Sequence, residues 1–488
     1  MPVICIPAQN RRIFASSGTK LMDALTAAGV RLDAPCGGHG RCGKCKVLAD
    51  HAPVLACQTV VDRDMTLEIP QEEGLRIAQT GLCGEKNLDP VREGHLVAFD
   101  IGTTSVVCFL HHGKTGEELA KSSILNPQTL FGADVICRIQ AALRGNMEQL
   151  TALVRSGMTT LIETVCADGD VSPRQIGVVS VVGNPAMQQL FLGICPDNLS
   201  RVPFAPVLTE AKAIPCKDIL PVCQNAQLLI VPDISGYIGA DTVGCVLSTA
   251  MYKEDQITLM VDIGTNGEMV LGNKDRMIAC STAAGPALEG ANIQFGMRGT
   301  EGAIDHVWLE NGALCYSVIG GGEAKGICGS GLIDAVAVGL DTGLLNKRGR
   351  IQNHDHVYPL TDHVYLTQED IRQVQLAKGA VYAGIVLMAK QLGLALEDIQ
   401  KVRLAGAFGS CMNPESACRI GLLPEEFLNR IEAIGNAAGT GAKMLAWDKN
   451  LLSLTQELTE KIEFLELATL PEFPKTFAVA MNFREGTL

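Results

Sequence analysis

One hairpin occurs twice in this 488-residue chain, and two copies 162 positions apart, Asp262 against Asp100, leave few architectures open. His95 to Leu110 reads HLVAFDIGTTSVVCFL: an apolar strand, an Asp-Ile-Gly-Thr-Thr-Ser turn and a second apolar strand. Leu259 to Leu271, LMVDIGTNGEMVL, repeats all three parts. Repetition on this scale points to two similar lobes facing a cleft. A single strand-ending Asp-x-Gly-Thr is most often an ordinary tight turn. Two copies set between matching strands reverse that weighting.

The chemistry that fits both copies is phosphate binding. Gly102 and Gly264 let the backbone approach an anion closely, and the hydroxyls of Thr103, Thr104, Ser105 and Thr265, the Asn266 amide and the turn N–H groups supply donors. Asp100 and Asp262 are placed to hold a hydrated Mg2+ that bridges phosphates.

A second constraint lies near the start of the chain. Cys36, Cys42 and Cys45, in CGGHGRCGKC, give C-x5-C-x2-C, close to the run found in plant-type 2Fe-2S proteins, with glycines between that let backbone amides wrap sulfide. A fourth thiolate is needed. Cys57 follows after eleven residues and precedes a strand-like run from Met65 to Ile69; Cys83 follows after thirty-seven, among linker residues. Cys57 is the preferred ligand. Structural zinc is the alternative, although zinc sites usually show two C-x2-C knuckles and this segment has one. Val3 to Ile6 and Arg12 to Ala15 read as a strand pair, and Thr19 is expected to cap a helix carrying Leu21, Ala24, Leu25 and Ala28 on one face before Gly29. Residues 1–70 therefore resemble the α+β β-grasp of 2Fe-2S ferredoxins, with a shorter segment than usual between Cys45 and Cys57. Residues 71–94, rich in Glu, Gln, Gly and Asn, read as a linker.

Composition sets the partners aside. At 47% hydrophobic and 19% charged residues, the chain can bury several cores. A net charge of −13 without a basic block argues against nucleic acid and against an anionic membrane surface. Eighteen cysteines without framework spacing, no signal-like start and no apolar run long enough to span a bilayer lead to the expectation of a cytoplasmic, reducing setting.

From residue 95 onward the chain resembles the superfamily of acetate and sugar kinases, heat-shock ATPases and actin. Asp100 to Ser105 and Asp262 to Glu268 match its two phosphate motifs, and Val178 to Asn184 its first connecting segment. Gly406, Ala407, Phe408 and Gly409, in LAGAFG, match its adenosine motif, and Ile434 to Gly441 its second connecting segment. The resemblance implies an α/β two-lobed, actin-like body with a duplicated ribonuclease H-like fold. Its lobes would be 95–255 and 256–488, with the C-terminal segment returning to the first lobe.

A ferredoxin joined to such a body resembles the reductive activators of corrinoid proteins. NPQTLFGADV (126–135), GNPAMQQLFLGI (183–194), AAGPALEGANI (283–293), AKGICGSGLID (324–334) and QLAKGAVYAGI (375–385) fit that family. Members often carry a further domain after the ferredoxin, for which the linker has no room. The resemblance implies a 2Fe-2S cluster on Cys36, Cys42, Cys45 and Cys57, and ATP with Mg2+ in the cleft. It implies an external electron donor, a homodimer, and transfer of an electron to the Co(II) corrinoid of a methyl-transferring protein, restoring Co(I) in anaerobic metabolism. Asp262 and Glu268 are the candidates for activating the attacking water. Two alternatives stay open: an activator of another low-potential metalloenzyme, and a small-molecule kinase with a redox-sensing ferredoxin domain.

Other features have plainer readings. Thr367 to Asp370 begins a capping box, and Val374, Ala377, Val381, Ile385 and Met388 then form one buried helical face, from which Lys378 could reach a phosphate. The glycines at 320–322, 326, 329 and 331 are not expected to follow a strand and open a helix with a ribose-binding acid at the usual distance, which sets aside a dinucleotide fingerprint. His39 and His51 are expected as solvated loop residues, and Cys137, Cys245 and Cys280 as small core residues.

Overall fold

The computed structural model of the chain describes all residues except 10, 31, 33, 35–37, 39, 41–44, 70–80, 82–93 and 485–488. Its first part contains β1 (Val3–Ile6), β2 (Arg11–Phe14), α1 (Leu21–Ala27), β3 (Lys46–Ala49), β4 (Ala52–Leu55) and β5 (Met65–Glu68). They form a five-stranded sheet in the order β2-β1-β5-β3-β4, with β2 antiparallel and β5 parallel to β1. Alternation along β1 turns Ile4 and Ile6 inward, where they share a core with Leu21, Leu25, Val47 and Leu67.

The cap of α1 differs from the expectation. Thr19 pairs with Val61 in a short bridge, and the last residue before the helix, Lys20, makes no side-chain cap. The N–H groups of Leu21 and Met22 donate instead to the carbonyls of Thr59 (2.8 Å) and Ala56 (3.0 Å). The helix thus satisfies its first donors from the segment around Cys57, a tertiary arrangement that no local cap signal encodes.

The first lobe consists of β6 (His95–Ile101), β7 (Ser105–His112), β8 (Glu118–Leu125), α2 (Val135–Ala141), α3 (Met147–Asp168), β9 (Ile176–Gly183), α4 (Pro185–Leu192), β10 (Lys212–Pro215), β11 (Gln227–Ile230) and α5 (Ala240–Thr249). Its six-stranded sheet runs β8-β7-β6-β9-β11-β10. The second lobe follows with β12 (Thr258–Ile263), β13 (Gly267–Gly272), β14 (Met277–Thr282), β15 (Ala303–Glu310), β16 (Ala313–Val318), β17 (Gly326–Ile327), α6 (Gly329–Asp341), α7 (Gln368–Leu392), β18 (Lys401–Ala405) and α8 (Gly406–Cys411). It closes with β19 (Ile431–Gly435), α9 (Ala437–Trp447), α10 (Asn450–Lys461), β20 (Ile462–Phe464) and α11 (Phe473–Ala480), and its main sheet runs β19-β18-β12-β13-β14-β20.

The duplication extends beyond the hairpin. In the first lobe β6 pairs antiparallel with β7, β7 antiparallel with β8, and β6 parallel with β9. In the second, β12, β13, β14 and β18 repeat those relations. Both central strands are unbroken apolar runs because helices cover both faces of each sheet.

The lobes meet where α5 crosses α9. A Cβ on Gly441 would lie 2.2 Å from the Gly244 carbonyl oxygen, so the two backbones touch at a distance only glycine permits. Val178 to Asn184, expected as the first connecting segment, is largely strand β9, and the helix that crosses α9 is α5. The C-terminal segment divides: α9 places Trp447 against Leu96 of the first lobe, whereas β20 pairs with β14 and α11 packs on α7 in the second.

Two smaller expectations meet different structure. Gly326 lies within the two-residue β17, and Gly329 and Gly331 after it stand in the first turn of helix α6. Lys378 lies 2% exposed on α7, where its amine donates to the Asn482 carbonyl and stands over the Phe483 ring rather than entering the cleft. Burial, with Arg484 nearby, lowers its pKa to about 7. The capping box of α7 is present at Thr367 and Asp370.

Candidate functional site

Two sites emerge from these elements. In the first, the sulfurs of Cys45 and Cys57 approach to 3.3 Å, and both residues are buried. The approach is held by the Ala56 N–H, which donates to the Cys45 carbonyl at 2.9 Å, and by the two bonds from the start of α1. Two buried thiols converging in this way are half of the four-thiolate donor set that a 2Fe-2S cluster takes, so the described residues fit the group. Cys36, Cys42 and Cys83 lie outside the described residues, as does His39; His51 is an exposed residue 2.9 Å from Glu68.

The second site is a cavity of about 700 Å3 between the lobes. Asp100, Gly102, Thr103, Thr104 and Ser105 line it from the β6–β7 hairpin, and Asp262, Gly264, Thr265, Asn266 and Glu268 from the β12–β13 hairpin. Gly406, Ala407 and Phe408 line it from the start of α8. Gly406 has φ 82°, and a Cβ there would stand 2.7 Å from Asp262 Oδ1, so the residue must be glycine for α8 to begin beside the carboxylate. Gly409 is a correction. It does not line the cavity, but packs against Leu404, where an added Cβ would meet the side chain at 3.0 Å.

Residues distant in sequence hold the first hairpin in place. The side-chain amide of Asn126 donates to the Gly102 carbonyl (2.8 Å), and that of Asn184, the residue before α4, to Thr103 Oγ1 (3.0 Å). Asn436, capping α9, donates to Asp100 Oδ2 (2.9 Å). Arg138 on α2 is fully buried behind the same turn and donates to the Thr103 carbonyl. Asn126, Asn184 and Asn436 lie in the stretches 126–135, 178–184 and 434–441 that already stood out in the sequence, without these roles; Arg138 lies in none of them.

The cavity floor is strongly acidic. Asp241, in the first turn of α5, joins Asp100, Asp262 and Glu268 there. Burial, followed by repulsion from Asp241, raises Asp100 and Asp262 to about 7; burial raises Asp241 to about 6 and Glu268 well above the ordinary range. Carboxylates that resist ionisation in a low-dielectric cleft gain most from a divalent cation. Asp100 and Asp262 are the carboxylates that would hold Mg2+, through water and phosphate oxygens as is usual for it.

The two hairpins are not equivalent. Glu268 stands opposite Asp262 in register, while the position opposite Asp100 is Val107. Only the second hairpin therefore offers a carboxylate pair that could orient a water. Another missed pair lies further along the wall: His306, half-exposed, has Nδ1 3.0 Å from Oδ2 of the buried Asp334.

Comparison with known proteins matches the same parts. Family profiles cover residues 6–65 (2Fe-2S iron-sulfur cluster binding domain), 96–254 (RACo middle region) and 256–488 (C-terminal domain of RACo, the ASKHA domain). The corrinoid activation enzyme RamQ of Eubacterium limosum is 30% identical over 592 residues, covering 99% of this chain and 100% of the relative. A [Co(II) methylated amine-specific corrinoid protein] reductase of Methanosarcina barkeri is 27% identical, covering 79% of this chain and 76% of its own. A solved structure of a reductive activator for a corrinoid, iron-sulfur protein aligns with a TM-score of 0.74 at 28% identity, covering 99% of this chain and 98% of that one.

Proposed function

The chain belongs to the family of reductive activators of corrinoid proteins, and from that premise we propose how its two sites divide the work. The protein is an ATP-dependent activator that passes an electron from its 2Fe-2S cluster to the Co(II) corrinoid of a partner protein, restoring Co(I). Cys36, Cys42, Cys45 and Cys57 hold the cluster, which supplies one low-potential electron at a time. The two hairpins receive the phosphates of ATP, with Asp100 and Asp262 facing hydrated Mg2+ and Gly406 to Phe408 receiving the adenosine. Glu268, opposite Asp262, orients the attacking water.

ATP is needed on physical grounds. A plant-type cluster sits at about −400 mV, too weak a reductant for the Co(II)/Co(I) step unaided. Nucleotide binding and hydrolysis can close that gap only by favouring one state of the complex over another. The reading extends to a cytoplasmic homodimer reloaded by a separate low-potential donor.

The observation that carries the reading is the acidic cleft framed by duplicated hairpins, on the same chain as the Cys45–Cys57 pair. Asp100→Ala and Asp262→Ala test it. Each should lower ATP hydrolysis by roughly a hundredfold or more while leaving the visible spectrum of the cluster unchanged, since among the described residues the core around Cys45 and Cys57 shares none with the lobes. Undiminished hydrolysis in both variants would overturn the assignment of the hairpins.

A further inference from the structure

We propose that Glu289 is a positioning residue that clasps the two phosphate hairpins together and gives way to the terminal phosphate of ATP. The inference rests on the reading of the cleft given above. Glu289 ends a short turn (Pro286–Glu289) whose Ala287 and Leu288 are buried in the second-lobe core, so its backbone belongs to that lobe. Its carboxylate nevertheless joins both. Thr265 Oγ1, from the second hairpin, donates to Oε1 at 3.1 Å, and Thr104 Oγ1, from the first, donates to Oε2 at 2.9 Å across a sequence distance of 185. A Cβ on Gly264 would lie 3.3 Å from the same Oε1, so the carboxylate is pressed against the turn itself.

Those two hydroxyls are among the donors that the hairpins offer to phosphate. A carboxylate accepting from both is the nearest side-chain equivalent of two phosphate oxygens, in shape, charge and hydrogen-bonding role. Glu289 and a terminal phosphate therefore compete for the same donors, and two anions side by side in a cleft already rich in carboxylates repel each other. ATP must release Glu289 from Thr104, from Thr265 or from both. ADP, which lacks the terminal phosphate, need not. This link between the two hairpins then differs between the ATP and ADP states, which is the differential interaction that any conformational coupling requires.

The experiment is an equilibrium titration of the full chain, without corrinoid protein, using a non-hydrolysable ATP analogue and ADP, each with Mg2+. Removing the competitor in Glu289→Ala should tighten the analogue by about fivefold or more, the scale of ordinary coupling energies, and leave ADP within about twofold. Glu289→Gln, which keeps the shape and loses the charge, should shift the analogue in the same direction by less, and guards against a folding defect in the alanine variant. Thr104→Val, which removes a phosphate donor along with the clasp, should weaken the analogue. An unchanged ratio of analogue to ADP affinity in both Glu289 variants overturns the clasp, as does selective weakening of the analogue, which would make Glu289 a support for Mg2+. If the unsubstituted chain binds neither nucleotide, the reading of the cleft itself falls.

Discussion

Cys57 is held by backbone bonds that tie its neighbours to α1 and to Cys45, and this fixes where its sulfur points. Cys57→Ser should therefore abolish most of the visible absorption and the low-temperature signal of the reduced 2Fe-2S centre, while Cys83→Ser should leave both. The opposite pattern would move the fourth ligand into the linker. The acidic residues of the cleft make a second prediction at this scale. Asp100 and Asp262 titrate near 7 in the folded chain against 3.8 for an ordinary aspartate, so between those values the unfolded chain gives up protons that the folded chain keeps. Stability of the nucleotide-free protein therefore falls as pH rises through that window and levels off above it. Mg2+ favours the ionised form, so the rise in Tm on adding MgATP should be larger at pH 8 than at pH 6. Equal rises at the two values would remove these carboxylates from the metal's surroundings. Asp100 and Asp262 were legible because their motif is local and repeated. Asp241 was not, because an aspartate in a first helical turn is what any helix favours. Glu289 lay inside the stretch 283–293 with no role attached to it and Arg138 inside no motif, and only the folded chain brings them to the hairpins.

Elements were more legible than their connections. The hairpins, the ferredoxin strands and the long helix α7 all follow from apolar periodicity, which depends only on near neighbours. The start of α1 was misread because its first donors are satisfied by Thr59 and Ala56, and the first connecting segment because a small-residue helix such as α5 carries little amphipathic signal. Yet α5 and α9 govern how the lobes meet. Gly441→Val would drive a side chain into the Gly244 carbonyl and force the helices apart. It should cost about 2 kcal/mol or more, measured by denaturant unfolding of the nucleotide-binding body, and sharply lower hydrolysis while the cluster spectrum persists. A variant as stable and as active as the parent would show that the crossing is not a close contact in solution.

At the scale of the whole molecule, the ferredoxin core and the lobe cores are separate among the described residues, and Gly81, a described linker position, bridges to Gly435 beside the Asn436 that holds Asp100. Two parts this distinct make one machine only if nucleotide turnover responds to the partner's cobalt. Co(II) corrinoid protein should accordingly stimulate ATP hydrolysis severalfold, and the methylated form should not, as read by phosphate release; equal stimulation by both would mean that the cleft does not sense the oxidation state. The most direct measurement follows cobalt itself. The reduced chain is mixed anaerobically with Co(II) corrinoid protein, and the visible spectrum is recorded with and without MgATP. Co(I), or methylcobalt when a methyl donor is supplied, should form only with MgATP present; the same rate and extent of cobalt reduction without it would contradict the account.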